Sequence, residues 1–129
     1  MPGLAEFAVY FGMGLGFMAV YLVLYLYATP HREITLIRGD NLPAAVVLAG
    51  AVLGFALPLA SALRIADGIA MVAAWASIAM LAQLVAYALI ALLLKDFPRR
   101  INRGEMAAAV LAAAIHVSVG LLNSAAMNY

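Results

Sequence analysis

His116 sits in "AAAIHVSVGLLNS", where an ionisable ring is surrounded by apolar and small residues. With Ala112, Gly120, Asn123 and Met127 it follows spacings of four, four, three and four, so all of these share one face of an α-helix. Histidine titrates near neutrality, so such a residue can move a proton, or it can stay neutral and hydrogen-bond a neighbouring helix. Gln83, in "MLAQLVAY", is a second polar side chain in an apolar run, with Met80 and Tyr87 on its face. Its amide needs partners, which Asn123 or His116 could supply. Gln83, His116, Ser118 and Asn123 are therefore the candidates for a polar interior or a pore lining. His31 lies far off in a charged connection, so no metal pair is expected. The sequence carries no Ser-His-Asp set, no metal-ligand cluster and no phosphate loop. No Asp or Glu falls within an apolar run, where a carrier of cations usually needs one. The expectation is a non-enzymatic protein without a cofactor.

These residues must be positioned by elements that live in lipid. The 129 residues are 68% hydrophobic and 10% charged, with a mean hydropathy of +1.09. Soluble domains run at about 45–50% apolar and about 25% charged, so a soluble fold lacks the polar surface it would need here. Four apolar runs, at about residues 7–28, 42–63, 68–94 and 106–127, reach the roughly 20 residues that cross a bilayer as helix. The fold class is all-α, a polytopic protein with four transmembrane helices in one integral membrane domain over residues 1–129. The third run is over-long, which implies tilt or extension into the interface. The first is no cleavable signal peptide, because it lacks a basic start, carries Glu6 and is too long. A formal net charge of +1 with no basic stripe excludes nucleic acid as a partner. The bilayer is the partner that the composition demands. The absence of cysteine removes disulfide and thiol chemistry.

Charge sets the orientation. Arg32, Arg38, Lys95, Arg99, Arg100 and Arg103 fall in the first and third connections, against Arg64 alone on the other side. Lys- and Arg-rich short loops stay cytoplasmic, so both termini are expected outside. Pro30 closes the first run, and Asp40 and Asn41 can cap the second, with Pro43 in its first turn. Asp67 can cap the third, and it is spaced to pair with Arg64. "KDFPRRINRGE" reads as a solvated positive-inside loop that also favours anionic headgroups. Tyr25, Tyr27 and Tyr129 suit the membrane interface, and Trp75 can anchor or pack.

The second run, "NLPAAVVLAGAVLGFALPLASA", is apolar but built from small residues. Val47, Gly50, Gly54 and Ser61 share a face, with Pro58 beside it. Small residues let helix backbones approach in lipid, so Gly50, Gly54 and Pro58, with Gly120 of the fourth run, form a packing or oligomer seam. Pro58 removes the hydrogen bond to the Gly54 carbonyl, which predicts a bend. The seam has a weaker echo near the end of the chain. Arg38-Gly39-Asp40 matches Arg103-Gly104-Glu105, Ala44-Ala45-Val46 matches Ala108-Ala109-Val110, Gly54 answers Gly120, and Ser61-Ala62 answers Ser124-Ala125. Two parallel two-helix repeats, over about residues 1–64 and 65–129, follow from that echo, because an even number of spans preserves orientation.

The segment from Thr29 to Ala62, together with the terminal "GLLNSAAMNY", resembles the YjfL-like family of small bacterial inner-membrane proteins. The resemblance is densest over 41–62, Gly120, Asn123 and Met127. It implies a bacterial inner membrane, four spans and a duplicated two-span unit, and it supplies neither catalytic residues nor a histidine at position 116. Its members carry no assigned function. Members tend to be encoded beside membrane-stress proteins and polyamine-type enzymes, which implies envelope-stress or polyamine-linked physiology with membrane-stress proteins as partners; the homo-oligomer is expected from the small-residue seam. Beside this expectation of a scaffold or sensor stands a channel or small-solute transporter lined by the polar set.

Overall fold

The computed structural model describes residues 3–29 and 33–127. Expectations resting on Pro30, His31, Arg32 and Tyr129 lie outside the described residues. Four long helices form where the chain is apolar: α1 Leu4–Ala28, α3 Leu42–Ile65, α4 Ile69–Leu93 and α6 Met106–Ala126. All four are long and apolar enough to cross a membrane. Two short helices precede α3 and α6, namely α2 Glu33–Arg38 and α5 Phe97–Asn102. All regular structure among the described residues is helical. The four spans match the runs expected from hydropathy to within a few residues, and α3 continues through Pro58.

Lipid-facing helices have apolar residues on every side, so small residues and polar tips decide which faces turn inward. On α1 the buried residues are Gly14, Tyr21 and Tyr25, while Phe7, Phe11 and Leu15 stay exposed. Tyr21 stacks on Phe55 of α3, with ring centroids 4.4 Å apart. Tyr25 is fully buried, which overturns its place at the interface; Tyr27 is the exposed one, at 87%. Tyr25 lies one helical turn beyond Tyr21 and shares its inward face, so proximity to the helix end does not decide its environment.

The ends of α2 and α5 follow one pattern. After α2, the Asp40 and Asn41 amides donate to the carbonyls of Ile37 and Leu36. After α5, the Gly104 and Glu105 amides donate to those of Ile101 and Arg100. Both are Schellman turns with a left-handed residue, Asp40 at φ 67° and Gly104 at φ 82°. The matched positions are therefore Asp40 with Gly104, one residue away from the pairing by identity of Gly39 with Gly104. Aspartate tolerates this conformation better than most residues.

Asn41 caps α3, its Oδ1 accepting from the Ala44 amide at 2.9 Å, with proline in the first turn. Asp67 does not cap α4: Gly68 holds that position without a side-chain hydrogen bond, and the Asp67 amide donates to the Met71 sulfur. Arg64 donates to Ser61 Oγ at 3.2 Å, and no ion pair joins it to Asp67 among the described residues. α3 ends at Ile65 and Ala66 is extended (φ -71°, ψ 139°) between the two residues, so helical i,i+3 spacing does not apply there.

The stretch expected as a solvated loop contains the helix α5. Phe97 and Ile101 are buried among Ala44, Val47, Ile90 and Ala108, while Arg99 and Arg103 remain exposed. Apolar residues four apart within the charged run made this inward face.

Candidate functional site

The site is built on the contact between α3 and α6. Side-chain-free positions let the two backbones approach, and each glycine shows how closely. A Cβ added to Gly50 would lie 2.7 Å from the Ala113 Cβ. One added to Gly54 would meet the His116 carbonyl oxygen, and would lie 2.9 Å from Gln83 Nε2. One added to Gly120 would meet the Gly54 carbonyl oxygen, and would lie 2.7 Å from the Gly54 Cα. Residue numbers rise together along both helices, through Gly50–Ala113, Gly54–Gly120 and a hydrogen bond between Ser61 and Ser124, so α3 and α6 run parallel. The positions matched by sequence, Gly54 with Gly120 and Ser61 with Ser124, touch one another.

Pro58 completes this arrangement. It has no N–H to give to the Gly54 carbonyl, so that oxygen loses its helical donor. The carbonyl faces Gly120 instead, close enough for a Cα–H contact that any side chain at position 120 would displace.

Beside the seam the polar side chains close on one another. His116 Nδ1 donates to Gln83 Oε1 at 2.7 Å, because an amide oxygen can only accept. Gln83 Nε2 donates to the His116 carbonyl at 3.2 Å. One amide thus holds both the ring and the backbone of a single residue. With the proton on Nδ1, Nε2 is an acceptor, and the Tyr25 hydroxyl donates to it over a long 3.5 Å. The Tyr25 ring meets the imidazole edge-on. Tyr25, Gln83 and His116 are all 0% exposed. A network satisfied in this way costs little in hydrocarbon, whereas each unsatisfied group costs several kcal/mol.

Gln83 and His116 are thus brought together, but Ser118 is not part of the cluster. It lies on the exposed side of α6, two residues from His116 and so turned well away on a helix of 3.6 residues per turn. Asn123 is half-buried, and its buried Nδ2 has no hydrogen-bond partner among the described residues. No group of three or more His, Asp or Glu residues able to hold a metal occurs among the described residues.

Two participants escaped the sequence reading. Tyr25 supplies the third side chain of the cluster, and its spacing of four from Tyr21 and eleven from Gly14 was the available signal. Asn41, taken only as a cap, also donates through Nδ2 to the Ile101 carbonyl at 3.0 Å. That bond crosses between the two halves of the chain and has no local sequence signature.

An all-helical bundle with four membrane-length helices, a parallel glycine seam and a buried polar clamp defines a polytopic membrane protein. The chain belongs to the family described as Domain of Unknown Function (DUF350), which it matches over residues 1–127. It is 30% identical to the UPF0719 inner membrane protein YjfL of Escherichia coli strain K12, over 100% of this chain and 98% of the relative. The same holds for the protein of that name from Escherichia coli O157:H7, at 30% identity. No solved structure matches the chain.

Proposed function

We propose that the chain is a non-enzymatic inner-membrane component that acts through contacts with copies of itself or with partner proteins. One observation carries this reading: Gln83 and His116 are spent on each other inside a Gly/Ala seam, fully buried, rather than lining a groove. A conducting path needs polar groups that face water, and these face only protein. The inner membrane is suggested by the Escherichia coli relatives, which are named as inner membrane proteins. Both termini outside follows from the distribution of Lys and Arg. A duplicated two-span unit accounts for the two matching Schellman turns that lead into α3 and α6. Membrane-stress proteins are the proposed kind of partner, an idea that rests on the family resemblance alone.

A channel or small transporter is the second reading. Exposed Ser118 and the uncommitted Asn123 amide favour it, since a second copy could enclose both in a shared path. Reconstituting the full chain separates the two. Native mass spectrometry of the protein in nanodiscs should give a defined oligomer, and proteoliposomes should show no flux of small ions or polyamines between about pH 5 and 8, where histidine changes charge. A selective flux, with assembly intact, that is lost in Asn123→Leu or His116→Gln would overturn the scaffold reading.

A further inference from the structure

The charged stretch between α4 and α6 has the shape of a binding surface. α5 is held in place from three sides. Phe97 and Ile101 insert into the base of α3 and α6. Asn41 Nδ2 holds the Ile101 carbonyl, and the turn at Gly104 fixes the helix end. A rigid helix of this kind presents a fixed outer face. Arg99, Asn102 and Arg103, at i, i+3 and i+4, lie on that face and line a recess of about 350 Å³.

Its charge is not used up within the protein. Arg100 and Arg103 share the single carboxylate of Glu105, at 2.9 and 2.8 Å. Arg99 has no ion-pair partner among the described residues. The guanidiniums of Arg99 and Arg103 and the Asn102 amide, whose NH2 can donate, line a space large enough for a phosphodiester, and no carboxylate lines it. Guanidinium forks match phosphate oxygens in geometry as well as charge.

Position decides which phosphate. α4 ends at Leu93, with Leu92 and Leu93 exposed at 80% and 68%, and α6 begins at Met106. The recess therefore lies where hydrocarbon gives way to headgroups. We propose that the recess formed by Arg99, Asn102 and Arg103 is a binding site for the phosphodiester headgroup of an anionic phospholipid. The lipid's acyl chains lie along the exposed leucines at the end of α4. The site rests on the placement of α5 alone and stands whether or not the scaffold reading does.

The test uses the full chain in neutral detergent, titrated with phosphatidylglycerol or phosphatidylcholine and read by native mass spectrometry. Phosphatidylglycerol should be retained in preference to phosphatidylcholine. Arg99→Gln should weaken its retention about fivefold, the worth of one basic residue at an anionic surface, and Arg99→Gln with Arg103→Gln should weaken it further. Lys95→Gln, the same charge change at an exposed residue outside the recess lining, should leave retention within twofold. Arg99 is exposed, so its single variant carries the test even if the double variant misfolds. Equal retention of both lipids would refute the site. So would an equal loss in Lys95→Gln, which would mean diffuse charge, or full displacement by millimolar inorganic phosphate, which would make it a soluble-anion site.

Discussion

Adding one methyl group to Gly54 is the sharpest perturbation of the seam. The new Cβ would meet the His116 carbonyl oxygen and lie 2.9 Å from Gln83 Nε2. A carbon atom packs at about 3.5–4.0 Å from such neighbours, so roughly 1 Å must be found. The Gln83 side chain can turn aside only by giving up the His116 carbonyl, and the other neighbour is helix backbone, which moves only if α6 moves. Overpacking costs about 1–3 kcal/mol, and contact with backbone places Gly54→Ala near the upper end. Alanine recovers about 1 kcal/mol of helix propensity, which leaves a net loss of about 2 kcal/mol. That corresponds to a shift of about thirtyfold in the folded-to-unfolded ratio. The internal control is Gly12→Ala on α1, where an added Cβ meets nothing within 4 Å, so the propensity gain stands alone. Reversible unfolding in bicelles, followed by steric trapping or by circular dichroism in denaturant, measures both. Gly54→Ala as stable as wild type, or no worse than Gly12→Ala, would refute the close approach of α3 and α6. Gly54→Leu should lose more than Gly54→Ala, because the longer side chain has no open direction.

Gln83→Leu should destabilise by about 1–3 kcal/mol, because His116 then loses its partner at both ring and carbonyl. Tyr25→Phe should cost no more than about 0.6 kcal/mol, the average for interhelical bonds in membranes, since its bond is long; the same unfolding assay ranks the two. Asn41→Ala should lose about 1–2 kcal/mol through the α3 cap, while Asn41→Ser keeps a capping oxygen and removes the amide that holds the Ile101 carbonyl. The Glu105 carboxyl is held below the usual carboxylate range, chiefly by its hydrogen bond from Arg100, against partial desolvation and with help from Arg103. A depressed folded-state value means stability that is present above the unfolded carboxylate range and is lost as pH falls through the folded value. Melting curves of the wild type should therefore weaken on acidification where those of Glu105→Gln stay flatter. The cysteine-free chain permits single-cysteine labelling: Asp67→Cys should react with an impermeant maleimide in intact cells, and Lys95→Cys only after permeabilisation.

The spans were legible because hydropathy over about 20 residues is a strong and local signal. The seam was legible for a related reason: Gly50, Gly54 and Ser61 keep helical spacing, and in lipid small residues mark contact. What the sequence hid is long-range. Nothing near Tyr25 announces that its hydroxyl turns toward a histidine on α6 rather than toward headgroups. Position along a helix gives depth, but the face that turns inward is set by partners. Ser118 and His116 show the same limit, since both are polar residues of one apolar helix, yet one is exposed and the other sealed. The α5 segment reads as a loop because its charges outnumber Phe97 and Ile101, although burying those two side chains fixes its position.

The glycines, the proline and the polar clamp act as one device that sets register. Pro58 leaves the Gly54 carbonyl without a helical donor, at mid-span, where an orphan costs several kcal/mol. Only a bare Cα can come close enough to relieve it, and Gly120 supplies one. The same close approach brings the His116 carbonyl within reach of Gln83, and it sets Ser61 against Ser124 one to two turns on. Slide α6 by one turn and the Gly54 carbonyl meets a side chain, Gln83 loses its backbone acceptor and the serine pair separates. Each loss alone is modest, but all of them occur together, so a slipped pairing is penalised far more than any single mutant suggests. Apolar side chains cannot provide this, because leucine against leucine is nearly indifferent to register in a medium as apolar as itself. The buried polar groups of this bundle therefore fix where α3 meets α6, which is the property a membrane component needs if its outer faces are to be presented in one defined arrangement.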